Sequence, residues 1–213
     1  MIAFPSPNFG DRRGGVTPSL VVIHYTAIAC DKARARLCDP VAEVSAHYLI
    51  SEAGVVEGLV PEDMRAWHAG AGNWAGLDDI NSHSIGIELA NDGQQPFSNP
   101  QMTALEGLLQ GIVARWSIPA YNIIGHSDMA PTRKSDPGPR FDWHRLARQG
   151  LSVWPKTLGD PNTPLAESLT KIGYPDAPDD ARLTAFRLRF RPWAKGPEHP
   201  EDRAIAAAVA QLS

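Results

Sequence analysis

Two histidines and one aspartate in this chain are of the types that hold a catalytic metal. His126 and Asp136 stand ten residues apart, in Gly125-His126-Ser127-Asp128 and Lys134-Ser135-Asp136-Pro137-Gly138-Pro139. His24 lies about a hundred residues upstream, at the end of the apolar run Leu20-Val21-Val22-Ile23-His24-Tyr25-Thr26. Two imidazoles and a carboxylate form a three-ligand set that leaves one position open on a tetrahedral zinc. A hydrolase needs that open position, whereas a structural zinc site closes it. If the three converge, the chemistry they point to is metal-dependent hydrolysis with one Zn2+. Spacing alone does not bring them together.

Further residues could serve such a centre. Glu88 interrupts an apolar strand pattern, Ile85-Gly86-Ile87-Glu88-Leu89. Strand alternation puts Gly86 and Glu88 on one face and the aliphatic residues on the other. Glu88 then faces either solvent or a cleft, and in a cleft partial burial would raise its pKa and suit it to general-base work. Lys134 precedes Asp136 by two, which in an extended segment aims both side chains the same way. It is either a surface lysine beside Arg133 or an ammonium that stabilises an oxyanion. Trp67-His68-Ala69-Gly70 suits a cleft wall that packs on a sugar or peptide. His47 sits in a strand as a core group or a supporting one, and His83, His144 and His199 have no companions that suggest a role.

The elements that must position these residues are legible in outline. Residues 20–26 read as a buried strand and residues 31–38 as a short helix stopped by Pro40. Residues 46–51 and 55–60 flank Glu52-Ala53-Gly54 as a hairpin. Residues 84–90 form another strand. A long amphipathic helix follows, with Asn99 expected as N-cap and Pro100 at N1, and with Met102, Leu105, Leu108, Leu109, Ile112, Val113 and Trp116 on one face. Residues 121–125 form a short strand that delivers His126, and a helix is expected over 142–148. The expected fold class is α/β, a mixed central β-sheet flanked by helices, with a small C-terminal three-helix domain. The expected boundaries are a catalytic domain over 1–155, a Pro-rich linker over 156–164 and a helical domain over 165–213. Its last helix, expected over 201–212, carries Ile205, Ala208, Val209 and Leu212 on one face.

The chain has 213 residues, 43% hydrophobic and 21% charged, enough for a sizeable core. A net charge of -4 with scattered Lys and Arg argues against a nucleic-acid surface. Arg182, Arg187, Arg189 and Arg191 are interleaved with acids, so a solvated face is favoured over a nucleic-acid module. No run approaches a membrane span, and the start shows neither a secretory signal nor a lipidation cysteine. A cytoplasmic location is expected, or a periplasmic one if Met1 is not the natural start. Cys30 and Cys38 are expected to be free thiols.

Val22-Ile23-His24-Tyr25-Thr26, Ser45-Ala46-His47-Tyr48-Leu49-Ile50, Ala66-Trp67-His68-Ala69-Gly70, Ser84-Ile85-Gly86-Ile87-Glu88 and the two motifs around His126 and Asp136 occur together in this order. Together they resemble the zinc-dependent N-acetylmuramoyl-L-alanine amidases, relatives of phage T7 lysozyme and the peptidoglycan recognition proteins. The resemblance covers roughly the first three quarters of the chain. The segment around Thr184-Ala185-Phe186-Arg187-Leu188-Arg189-Phe190-Arg191-Pro192 resembles a small three-helix peptidoglycan-binding domain found in one branch of that family. The resemblance implies His24, His126 and Asp136 as ligands of one zinc, Glu88 as catalytic glutamate and Lys134 near the oxyanion. Tyr25, Trp67 and His68 are the expected substrate-binding residues. It implies cleavage of the amide between the lactyl group of (anhydro-)N-acetylmuramic acid and L-alanine, in the recycling of muropeptides. The expected partner is a muropeptide or peptidoglycan substrate, with no nucleic acid, membrane or obligate protein partner. The alternative is a peptidoglycan-binding protein that does no chemistry.

Overall fold

The apolar run that ends at His24 folds as the strand Leu20–Tyr25, inside a mixed six-stranded sheet. The computed structural model describes residues 2–212. The strands are β1 (Ile2–Ala3), β2 (Phe9–Gly10), β3 (Leu20–Tyr25), β4 (Tyr48–Ile50), β5 (Val56–Gly58), β6 (Arg65–Ala66), β7 (Ser84–Leu89) and β8 (Ile123–Gly125). The helices are α1 (Cys30–Leu37), α2 (Ile80–His83), α3 (Asn99–Trp116), α4 (His126–Met129), α5 (Trp143–Ala147), α6 (Leu165–Ile172), α7 (Asp179–Phe190) and α8 (Pro200–Val209).

The sheet order is β1-β5-β4-β7-β3-β8, and β2 pairs with β6 apart from it. Only β4 and β5 run antiparallel within the large sheet. They are the expected hairpin, and Gly54 in its turn takes φ 83, a left-handed value that favours glycine. Parallel pairing of β3 with β7 sets Leu20 beside Ser84, Val22 beside Gly86 and His24 beside Glu88. These six residues therefore share one face, with the polar pair at the carboxyl end of both strands.

Helix α3 covers the other face. Val21, Ile23, Ile85, Ile87 and Leu89 pack there with Met102, Leu105, Leu109 and Ile112. Its cap departs from expectation by one residue. Ser98 is the N-cap, its Oγ accepting from the Gln101 amide at 3.2 Å, so Pro100 falls at N2. The Asn99 side chain instead accepts from Arg145 Nη1 at 2.8 Å. Ser caps as well as Asn does, and Asn99 finds a tertiary partner that a local pattern does not encode.

The face that carries Leu20 and Val22 is covered by the C-terminal helices. Leu165, Leu169, Ile172, Tyr174, Phe186, Phe190, Ile205 and Val209 form one buried cluster with Leu20, Val22, Ile124, Trp74, Ile80 and Met129. Each fully buried phenylalanine contributes about 1.5–3 kcal/mol by removal from water. Residues 156–164 carry no helix or strand and lie against α8, with the Gly159 amide donating to Ala204 O at 2.9 Å. Helix α8 stops at Val209, so of the expected face Ile205 and Val209 are buried, Ala208 is half-buried, and Leu212 falls beyond the helix and is 45% exposed. Among the described residues no helix is long and apolar enough to cross a membrane, and Cys30 and Cys38 are free thiols.

Candidate active site

The carboxyl ends of parallel strands are where an α/β sheet offers a crevice, and the ligand candidates meet there. His24 is the penultimate residue of β3, and His126 opens α4 directly after β8. The turn into α4 is held by Asp128, whose Oδ2 accepts from the Gly125 amide at 2.8 Å. The loop that carries Asp136 is pinned beside it, with the Ser127 amide donating to Asp136 O at 2.9 Å. As a result His24 Nδ1 and His126 Nδ1 lie 2.9 Å apart, and each is 3.0 Å from Asp136 Oδ2. All three side chains are buried.

Burial lowers the His24 pKa to about 4, aided by His126 and opposed by Asp136. Burial works against ionisation of Asp136, but its contacts with His126 and His24 outweigh it and hold the carboxyl well below the usual range. The His126 Nε2 lies 2.8 Å from Ala69 O, an acceptor only, so it carries the proton and leaves a lone pair on Nδ1. Two ring nitrogens and a carboxylate oxygen that crowd to one point fit a divalent cation of the zinc type. Among the described residues these three form a group able to hold a metal.

Beside this triangle opens a cleft of about 430 Å³ whose lining includes His24, Tyr25, Trp67, His68, Glu88, His126, Lys134 and Asp136. Every sequence-predicted site residue thus lines one space. Glu88 Oε2 is buried and has no hydrogen-bond partner. Burial raises its pKa to about 8, with Asp136 adding to the rise and Lys134 opposing it. Lys134 lines the cleft together with Asp136. A turn at 131–133 precedes it, and its amide donates to Ala130 O at 3.0 Å.

The Tyr25 hydroxyl lies 3.4 Å from Ser135 Oγ, and the Trp67 amide donates to Ser45 Oγ at 2.8 Å. His68 lines the cleft but bonds inward, with Nδ1 3.0 Å from His24 Nε2 and Nε2 3.1 Å from Ser84 Oγ. His47 is a core group: its Nδ1 accepts from the Gly86 amide at 2.9 Å and its Nε2 donates to Met64 O at 3.0 Å. Sequence reasoning missed two cations of the lining, Arg36 and Arg133. Arg133 stands next to Lys134, the one signal that pointed to it. Arg36 sits on α1, which the sequence offered only as a helix.

The fold and the site together define a mixed-sheet protein built around a His-His-Asp constellation able to hold a metal, beside a half-buried glutamate. The chain belongs to the N-acetylmuramoyl-L-alanine amidase family (Amidase_2), whose profile matches residues 14–139. It is 38% identical to N-acetylmuramoyl-L-alanine amidase AmiD of Escherichia coli K12, over 89% of this chain and 81% of that protein. It is 37% identical to 1,6-anhydro-N-acetylmuramyl-L-alanine amidase AmpD of Enterobacter cloacae, over 67% of this chain and 86% of that protein. The solved complex of E. coli AmiD with the substrate anhydro-N-acetylmuramic acid-L-Ala-D-γ-Glu-L-Lys superposes with a TM-score of 0.84 at 34% identity, covering 96% of this chain and 98% of that one.

Proposed function

We propose that this chain is a zinc-dependent amidase that hydrolyses the bond between the lactyl carbonyl of (anhydro-)N-acetylmuramic acid and L-alanine in peptidoglycan fragments. The observation that carries the reading is the convergence of His24, His126 and Asp136 beside Glu88, whose Oε2 is buried and unpartnered. Relatives named for this bond, and one solved with an anhydro-muramyl peptide, support the substrate class.

His24, His126 and Asp136 would hold the metal. When bound, zinc supplies a Lewis acid that acidifies water and polarises the amide carbonyl. Glu88 in its ionised form takes the proton of the attacking water and delivers it to the alanine nitrogen as the C–N bond breaks. The Lys134 ammonium faces the carbonyl oxygen as that oxygen gains charge. Tyr25 and Trp67 wall the cleft and orient the sugar and peptide on either side of the scissile amide.

Glu88→Gln tests the assignment. The amide side chain keeps shape and removes the base, so kcat should fall by about 10²–10⁴-fold with zinc content unchanged. Near wild-type turnover with zinc retained would overturn the base assignment. Binding of muropeptide by the wild type without release of peptide would make the protein a binder instead.

A further inference from the structure

The tripeptide Trp67-His68-Ala69 reaches both ligand histidines from behind. Ser84 is fully buried, and its Oγ donates its single proton to Ile80 O at 2.6 Å. The same Oγ, 3.1 Å from His68 Nε2, must therefore accept from it. A neutral ring with its proton on Nε2 has a lone pair on Nδ1, and His68 Nδ1 lies 3.0 Å from His24 Nε2. His24 consequently carries its proton on Nε2 and turns a bare Nδ1 toward Asp136. One residue further on, Ala69 O fixes His126 in the same tautomer. The segment is held for this task. Asn81 Oδ1 accepts from the His68 amide at 3.0 Å and the Ala69 amide at 2.8 Å, and Arg133 Nη2 donates to Ala69 O at 2.8 Å. Beneath the His68 ring lies Gly86, where a Cβ would come within 2.3 Å of the ring.

We propose that His68 is a positioning residue: with Ser84 behind it, it fixes the tautomer and orientation of His24, while the Ala69 carbonyl does the same for His126. The pair presents two Nδ1 lone pairs to one metal ion. This rests on the reading that His24, His126 and Asp136 hold zinc. It gives His68 a task other than stacking on substrate, which its place in the cleft wall alone would suggest. Partners of this kind typically change metal affinity by roughly 10- to 100-fold when removed.

Two measurements test it. Long-range 1H–15N correlation spectra of the zinc-loaded wild type should show His24, His68 and His126 each protonated on Nε2. A His68 protonated on Nδ1 would overturn the proposal without any variant. Zinc affinity by chelator competition should then fall roughly 10- to 100-fold in His68→Leu. It should return toward wild type in His68→Asn, whose Oδ1 restores an acceptor near the Nδ1 position. Unchanged zinc affinity in His68→Leu, with a raised KM for muropeptide, would make His68 a substrate wall and overturn the proposal. Failure of the underlying reading looks different: His24→Ala would then bind zinc as tightly as the wild type.

Discussion

Helix α7 reaches helix α4 through one buried ion pair, and removing its cation should unseat the C-terminal helices. Arg189 Nη1 donates to Asp128 Oδ2 at 3.1 Å, and the two side chains are 4% and 1% exposed. Asp128 also accepts from the Tyr174 hydroxyl at 2.7 Å and the Gly125 amide at 2.8 Å. Arg189 further donates to Ser152 Oγ at 3.0 Å and stacks 4.2 Å above the Trp143 ring. Arg189→Met keeps much of the apolar stem but leaves the Asp128 carboxylate buried without its cation. Breaking one side of such a pair destabilises by about 3–5 kcal/mol. For a chain of this size that is a fall in Tm of roughly 6–20 °C, at about 2–4 °C per kcal/mol. Urea unfolding of wild type, Arg189→Met, Asp128→Asn and the double variant gives the assay. The double variant holds no stranded charge, so the cycle should show a coupling of at least about 1 kcal/mol. A loss below about 1 kcal/mol in Arg189→Met, or additive single effects, would refute the reasoning.

Gly86→Ala should leave the sheet hydrogen bonds in place yet push the His68 ring off its seat, because the added Cβ would lie 2.3 Å from it. Zinc affinity should fall more than Tm, and equal affinity would contradict this. The acid limb of kcat/KM should lie above the usual carboxylate range. Glu88 accepts a proton only when ionised, and burial together with Asp136 raises its pKa to about 8 in the metal-free protein. A limb at an ordinary carboxylate pKa would count against Glu88 as the base. Asp202 should contribute to acid unfolding. Burial opposes its ionisation, but hydrogen bonds from Arg187 and Arg191 outweigh this and lower its pKa. Its stabilisation is therefore full above the unfolded value of about 3.9 and lost as pH falls through it toward the folded value. Urea midpoints should drop less steeply below pH 5 in Asp202→Asn than in wild type, and parallel curves would contradict the assignment.

Much of the site was legible because its signals are local. A β-branched run ending at His24, a glutamate out of phase in β7 and a proline-stiffened loop around Asp136 can each be read from a few neighbours. The motif order then supplied the convergence that spacing could not. What stayed hidden depends on partners far apart in the chain. The tautomer of His24 depends on Ser84 and Ile80, and that of His126 on a backbone carbonyl at position 69, which no side-chain pattern reveals. Ile205 and Val209 on the face of the last helix were visible, but the partners of the C-terminal helices, Leu20, Val22 and Ile124, were not. Strand alternation marks Leu20 and Val22 only as facing away from Val21 and Ile23, not as facing these helices.

In the proposed function, His24, His126, Asp136 and Glu88 cut a muramoyl–alanine amide with the help of one zinc. The most direct test treats an anhydro-N-acetylmuramyl peptide with metal-stripped protein, then with protein titrated with zinc, in H2-18O, and reads the products by mass spectrometry. No cleavage is expected without metal, and full activity near one equivalent of zinc. The products should be a free peptide beginning with L-alanine and a muramyl product with a single 18O on its lactyl carboxyl group. Undiminished cleavage by the stripped protein, or cleavage at another bond, would contradict this function.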